Sequence, residues 1–101
     1  MEHLEYEFGP FAPARTIAPT VVGVVGSGNM EALIEPRPLG GMVRFVVDTS
    51  ISGFAATWQA VLRDFAEQRR VGDLLVTIND AGATPSVVAL RLAQAAEDLG
   101  I

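Results

Sequence analysis

Thr20-Val21-Val22-Gly23-Val24-Val25-Gly26-Ser27-Gly28-Asn29-Met30-Glu31-Ala32-Leu33-Ile34-Glu35 is the stretch on which the fold turns. Its first six residues form a β-branched run broken only by Gly23. Their apolar side chains fall on both faces, which predicts an inner strand. Residues 30–35 alternate, with Met30, Ala32 and Ile34 on one face and Glu31, Leu33 and Glu35 on the other, the period of a half-buried strand. The four residues between have the composition of a tight turn, so the whole predicts a β-hairpin.

On the N-terminal side, residues 3–8 alternate as well: Leu4, Tyr6 and Phe8 oppose His3, Glu5 and Glu7. Pro10, Pro13 and Pro19 then break regular structure, leaving loop or a ragged edge strand. On the C-terminal side, Pro36, Pro38, Gly40 and Gly41 mark a turn into a strand over 42–48, with Val43, Phe45 and Val47 inward and Arg44 outward. The period then changes. Phe54, Trp58, Val61, Leu62 and Phe65 recur at helical spacing, with Ser52 as the expected N-cap and Gly72 as the expected stop. Trp58 belongs to the core, and Arg69-Arg70 is a solvated helix end that complements the helix dipole. Residues 74–79 form a short apolar strand, and residues 80–83 turn the chain. Thr84-Pro85 opens a last helix with Val88, Leu92, Ala95 and Leu99 on one face.

Four strands, a helix, a strand and a helix imply an α+β fold in two layers. The expected architecture is a mixed, mostly antiparallel sheet of about five strands with two helices on one face, in a single domain over residues 1–101.

Composition narrows the function. A chain of 101 residues hides about 65% of its unfolded surface, which allows a core but leaves little room for a deep substrate pocket. The formal net charge of −5 argues against nucleic acid as a partner and favours docking to basic patches on other proteins. All seven positive residues are arginines, which excludes lysine chemistry such as a Schiff base. There are no cysteines, so a protein of this kind that works through a thiol must borrow it from a cofactor. No apolar run reaches transmembrane length. Glu2, Glu5 and Glu7 are the reverse of a basic signal peptide, so no membrane and a cytoplasmic location are expected.

Ser27 is the most informative candidate. Flanked by Gly26 and Gly28, its hydroxyl has no neighbouring side chain to cover it, and glycine lets another molecule's backbone approach closely. Gly-Ser-Gly is also ordinary turn composition. A hydrolytic triad would need His3, the single histidine, as base and an acid such as Asp80, with an oxyanion hole besides. Gly23, Gly26 and Gly28 do not have the dinucleotide spacing and open a strand, not a helix. One histidine and scattered carboxylates provide no metal-ligand spacing, so no metal site is expected. Residues 79–82 are a turn, in which Asp80 is a candidate for docking or for supporting the last helix. Val87, Leu90 and Arg91 form either a partner-facing strip or a second buried edge, and burial is the favoured expectation.

Several pieces coincide in one chain: residues 24–31 around the Gly-Ser-Gly turn, Gly53-Phe54 leading into a helix with Trp58, and Ile78-Asn79-Asp80-Ala81-Gly82-Ala83-Thr84-Pro85. Together they resemble the acyl carrier (delta) subunit of biotin-independent malonate decarboxylase, over roughly residues 20–99. The resemblance implies a non-catalytic carrier whose cofactor is 2'-(5''-phosphoribosyl)-3'-dephospho-CoA. This group would be joined by a phosphodiester to Ser27, between Gly26 and Gly28, by a dedicated phosphoribosyl-dephospho-CoA transferase. It further implies two kinds of working partner: an acetyl-ACP:malonate acyltransferase subunit and malonyl-thioester decarboxylase subunits, between which the thioester is shuttled. The family often has an acidic residue two positions after the serine, where this chain has Asn29. The citrate lyase carrier is a related alternative. A small ligand-binding or regulatory module, with no covalent group, is the reading independent of the resemblance.

Overall fold

A computed structural model describes residues 1–13, 18–23, 26 and 28–101. In chain order its elements are β1 (Glu2–Phe8), β2 (Ala12–Pro13), β3 (Thr20–Gly23), β4 (Met30–Pro36), β5 (Val43–Thr49), α1 (Ala55–Arg69), β6 (Val71–Gly72), β7 (Leu74–Asp80) and α2 (Pro85–Leu99). Five strands make one sheet in the order β1-β5-β7-β4-β3, and β2 pairs with β6 in a short parallel ribbon. Only β5 and β7 run parallel within the main sheet, and α1 is the crossover that parallel neighbours require. The α+β class, the mixed sheet and the two helices agree with the expectation from sequence.

Alternation determines which side of the sheet is covered. Met30, Ala32 and Ile34 of β4, Phe45 and Val47 of β5, and Val76 and Ile78 of β7 are fully buried. They join Trp58, Leu62, Val88 and Leu92 of the helices in one apolar cluster. Each large side chain so buried contributes about 1.5–3 kcal/mol. The other face presents cross-strand rows such as Glu7, Arg44, Leu75 and Glu35. Arg44 Nε donates to Glu7 Oε2 at 2.8 Å within that row.

Four expectations are corrected. The strand over 20–23 is not an inner one. It lies at an edge, with Val21 on the uncovered face and 57% exposed; its apolar pattern reports side-chain type, not neighbours. Ser52 does not cap α1. Phe54 is the N-cap residue, without a side-chain cap bond, and it is 52% exposed, outside the core. Gly72 does not end that helix. Arg70 does, in a left-handed conformation (φ 52°), its N–H donating to Ala66 O at 2.8 Å, while Gly72 lies in β6. The strip Val87, Leu90 and Arg91 is only in part a buried edge: Val87 and Arg91 are half-buried, but Leu90 is 53% exposed.

Candidate functional site

The antiparallel pair β3 and β4 runs in register from Thr20↔Ile34 to Gly23↔Glu31, confirming the hairpin arm by arm. Val24, Val25 and Ser27 lie outside the described residues, so the expected attachment residue is bracketed by Gly26 and Gly28. Asn29 N–H donates to Gly26 O at 2.9 Å, closing a four-residue β-turn. Gly28 has φ +71°, the positive value that glycine adopts without penalty. A Cβ built on either Gly26 or Gly28 would meet nothing within 4 Å, so the turn stands in open space.

Four further hydrogen bonds hold this turn. Gly28 N–H donates to Ala81 O at 2.8 Å, and Ala81 N–H donates to Asn29 O at 3.0 Å. Asn29 Oδ1 accepts from Met30 N–H at 2.8 Å and from Arg91 Nε at 3.1 Å. Arg91 also donates from Nη1 to Gln94 Oε1 at 3.1 Å. A half-buried guanidinium therefore stands at the base of the turn, facing neutral oxygens. Sequence alone put Arg91 in a strip that was either partner-facing or buried, and Asn29 in the turn; it did not join the two, because no local signal connects positions so far apart in the chain.

Asp80 supports the segment to which the turn is fastened. It is 7% exposed. Oδ2 accepts from Thr49 Oγ1 at 2.8 Å and from Gly82 N–H at 3.1 Å, and Oδ1 accepts from Ala83 N–H at 2.9 Å. The chain thus enters α2 on a fixed path, and Thr84 caps the helix by accepting from Val87 N–H at 3.3 Å. Of the two roles open to Asp80, this geometry supplies the support. Beside it an apolar groove of about 470 Å³ opens between the starts of the two helices, with Ile51, Phe54, Trp58, Gly82, Thr84 and Val88 in its walls.

His3 is not part of this site. It lies on β1, at the opposite edge of the sheet from β3. Four strand spacings, roughly 19 Å, separate the two edges. Its ring is held by Asp48 Oδ1 at 2.7 Å and Glu5 Oε2 at 2.9 Å. The hydrogen bond to Asp48, and then that to Glu5, raise its pKa. His3, the base of the triad considered from sequence, is engaged by Asp48 and Glu5 and lies two strands away from the strand of Asp80, while Ser27 lies outside the described residues. Among the described residues no group of three His, Asp or Glu side chains could hold a metal ion, and no helix is long and apolar enough to cross a membrane.

The family model for the malonate decarboxylase delta subunit, an acyl carrier protein, matches residues 17–99. The malonate decarboxylase acyl carrier protein of Burkholderia cepacia is 50% identical over 99 residues, covering 98% of this chain and 91% of that one. The protein of the same name from Xanthomonas campestris is 49% identical over 100 residues, covering 98% and 95%. Among solved structures, a chain of a Pseudomonas malonate decarboxylase hetero-tetramer in complex with malonate superposes with a TM-score of 0.87 at 40% identity, covering 99% of this chain and 100% of that one.

Proposed function

The chain belongs to the malonate decarboxylase delta-subunit family, as an acyl carrier subunit and not an enzyme, and on that footing we propose that Ser27 is where it carries its acyl group. The proposed group is 2'-(5''-phosphoribosyl)-3'-dephospho-CoA, joined to the Ser27 hydroxyl through a phosphodiester. When bound, it supplies the thiol that this cysteine-free chain lacks and holds acetyl or malonyl as a thioester.

One observation carries the reading: the turn from Gly26 to Asn29 is open on its outer side and fastened on its inner side. Open space around Gly26 and Gly28 lets a modifying enzyme close over the turn and leaves room for a bulky substituent. The bonds to Ala81 hold the turn in a fixed place on the sheet. Arg91 places a cation beside the site where a phosphodiester would bring negative charge, and charge-assisted contacts of that kind are the stronger ones. These features fit the group.

The chain's own work is presentation. It offers the serine to the phosphoribosyl-dephospho-CoA transferase. Loaded, it would present the arm to the acyltransferase subunit, where malonate would exchange for acetyl with release of acetate, and to the decarboxylase subunits, where carbon dioxide would leave and acetyl would be restored. A tether raises the local concentration of the acyl end to about the millimolar range at each partner and stops it diffusing away. The net charge of −5 suits weak, reversible docking to basic partner surfaces. The proposal places this work in one carrier domain over residues 1–101, in the cytoplasm.

The test is the intact mass of the chain co-expressed with its transferase, beside Ser27→Ala. A gain equal to one phosphoribosyl-dephospho-CoA, absent in the variant, is the expected result. An unmodified mass in the presence of active transferase would overturn the reading and leave the ligand-binding module in its place.

A further inference from the structure

The groove between the helix starts is not used by the attachment turn, yet one chain segment connects the two. Ala81 is hydrogen-bonded in both directions to Gly28 and Asn29, and the next residue, Gly82, lines the groove. A group leaving the turn therefore has an apolar recess within a few residues of its root. The volume of about 470 Å³ lies within the range typical of small-ligand pockets, roughly 300–1,000 Å³.

The chemistry of the walls selects which part of a carried group belongs there. Phe54 and Ile51 stand at the rim, 52% and 44% exposed, an unusual outlay of apolar surface at a turn. Trp58, nearly buried, lines the groove as well. Among the described residues lining it there is no arginine or histidine, and its one carboxylate, Asp80, is committed to Thr49, Gly82 and Ala83. A diphosphate or a malonyl carboxylate finds no counter-charge in such a place. A flat, uncharged heteroaromatic finds an aromatic face, and it finds hydroxyls too. Thr57 lines the groove, and Thr84 Oγ1, which accepts from Val87, keeps its own proton to donate.

We propose that this groove holds the adenine base of the nucleotide portion of the group carried on Ser27, an inference that rests on the carrier reading above. In that group only a phosphodiester and one ribose separate the adenosine from the serine, whereas the thiol lies far beyond it. Adenine in the groove fixes the root of the arm against the protein. The pantetheine half stays free to enter partner sites, and the volume it must search is smaller. Because the tether supplies an effective concentration of about a millimolar, weak affinity for the base suffices.

Trp58, the single tryptophan, reports on the groove directly. The experiment compares Trp58 emission and backbone amide shifts in the unloaded chain and in the chain loaded to completion, as judged by intact mass. Loading is expected to lower the emission and to move the amides of residues 49–58 and 80–88. Free adenosine, titrated into the unloaded chain, is expected to move the same amides with millimolar affinity. Phe54→Ala, at an exposed position without a cap bond, is expected to weaken the adenosine effect about fivefold while leaving the loaded mass unchanged. Identical emission and shifts before and after complete loading would overturn the proposal. If the mass shows that no loading occurs, the carrier reading fails. The groove is then judged alone, and no response to about 10 mM adenosine, well above the tether's effective concentration, would overturn it. Shifts at these residues caused by the decarboxylase partner subunits, and not by loading or adenosine, would assign the groove to protein docking and overturn it equally.

Discussion

Arg91 of α2 donates from Nε to Asn29 Oδ1 at 3.1 Å, fastening the last helix to the turn that follows Ser27. The same oxygen accepts from Met30 N–H at 2.8 Å, so one amide side chain joins the first residue of β4 to the last helix, while the Asn29 backbone N–H closes the turn on Gly26 O. The side chain at position 29 thus has definite partners. An aspartate there would accept the same two bonds.

Replacing Arg91 with Gln is expected to cost about 1.5–3 kcal/mol, the worth of a hydrogen bond to a charged donor, and to slow loading by the transferase. Asn29→Asp is expected to stay within about 1 kcal/mol of the parent, because it exchanges an amide acceptor for a partly exposed ion pair. Urea unfolding followed by Trp58 emission, with a time course of loading by intact mass, checks both.

Asp80 is nearly buried and satisfies three donors. Asp80→Ala strands the Thr49 hydroxyl and the N–H groups of Gly82 and Ala83, and is expected to lower stability by about 3 kcal/mol. Thr49→Val removes one partner of that carboxylate and the acceptor of Ile51 N–H, and should cost about 1–2 kcal/mol. A ratio near unity in urea midpoint shifts would show that the carboxylate does not organise the entry to α2.

Gly23 and Gly28 both have positive φ, 79° and 71°, but differ in surroundings. A Cβ on Gly23 would overlap the carbonyl oxygen of Met30 across the β3–β4 pair, while one on Gly28 meets open space. Gly28→Ala is therefore expected to cost roughly 1–2 kcal/mol, the conformational penalty alone. Gly23→Ala adds a backbone clash and should cost more than about 2 kcal/mol. Thermal unfolding of the two variants side by side decides the order.

The His3 ring, bonded first to Asp48 and then to Glu5, has a pKa raised above the ordinary value near 6.5. A raised value stabilises the folded state through the protonated form. That contribution is whole below the unfolded pKa and is lost as pH rises through the folded one. An NMR titration of the ring should find the raised midpoint, and Asp48→Asn should bring it down. Because the ring is exposed, the melting temperature should move only slightly across this window.

Much of the architecture was legible in the residues themselves. Alternation over 30–35 and 43–47 identified the side chains that became the core, and helical spacing did the same for Val88, Leu92 and Ala95, because side-chain direction along one element depends only on local backbone geometry. The Thr84-Pro85 helix start was equally local, since a cap bonds within one turn. The Gly-Ser-Gly turn was found from composition, and the family from its combination with residues 78–85.

Strand order was different. An apolar run such as residues 20–23 states that a strand forms but not which strands lie beside it, so only the assembled sheet made β3 an edge. Arg91 meets Asn29, Ala81 meets Gly28, and Ile51 and Phe54 face Gly82 across a groove for the same reason. These contacts join residues far apart in the chain. They form only once β4 and β7 pair and α2 returns across the sheet. Sequence alone determined the five main strands, the two helices, most of their inward faces and the turn that contains Ser27. The tertiary structure decided what fastens that turn and what lies within reach of it, because side chains distant in sequence meet only through the packing of the whole.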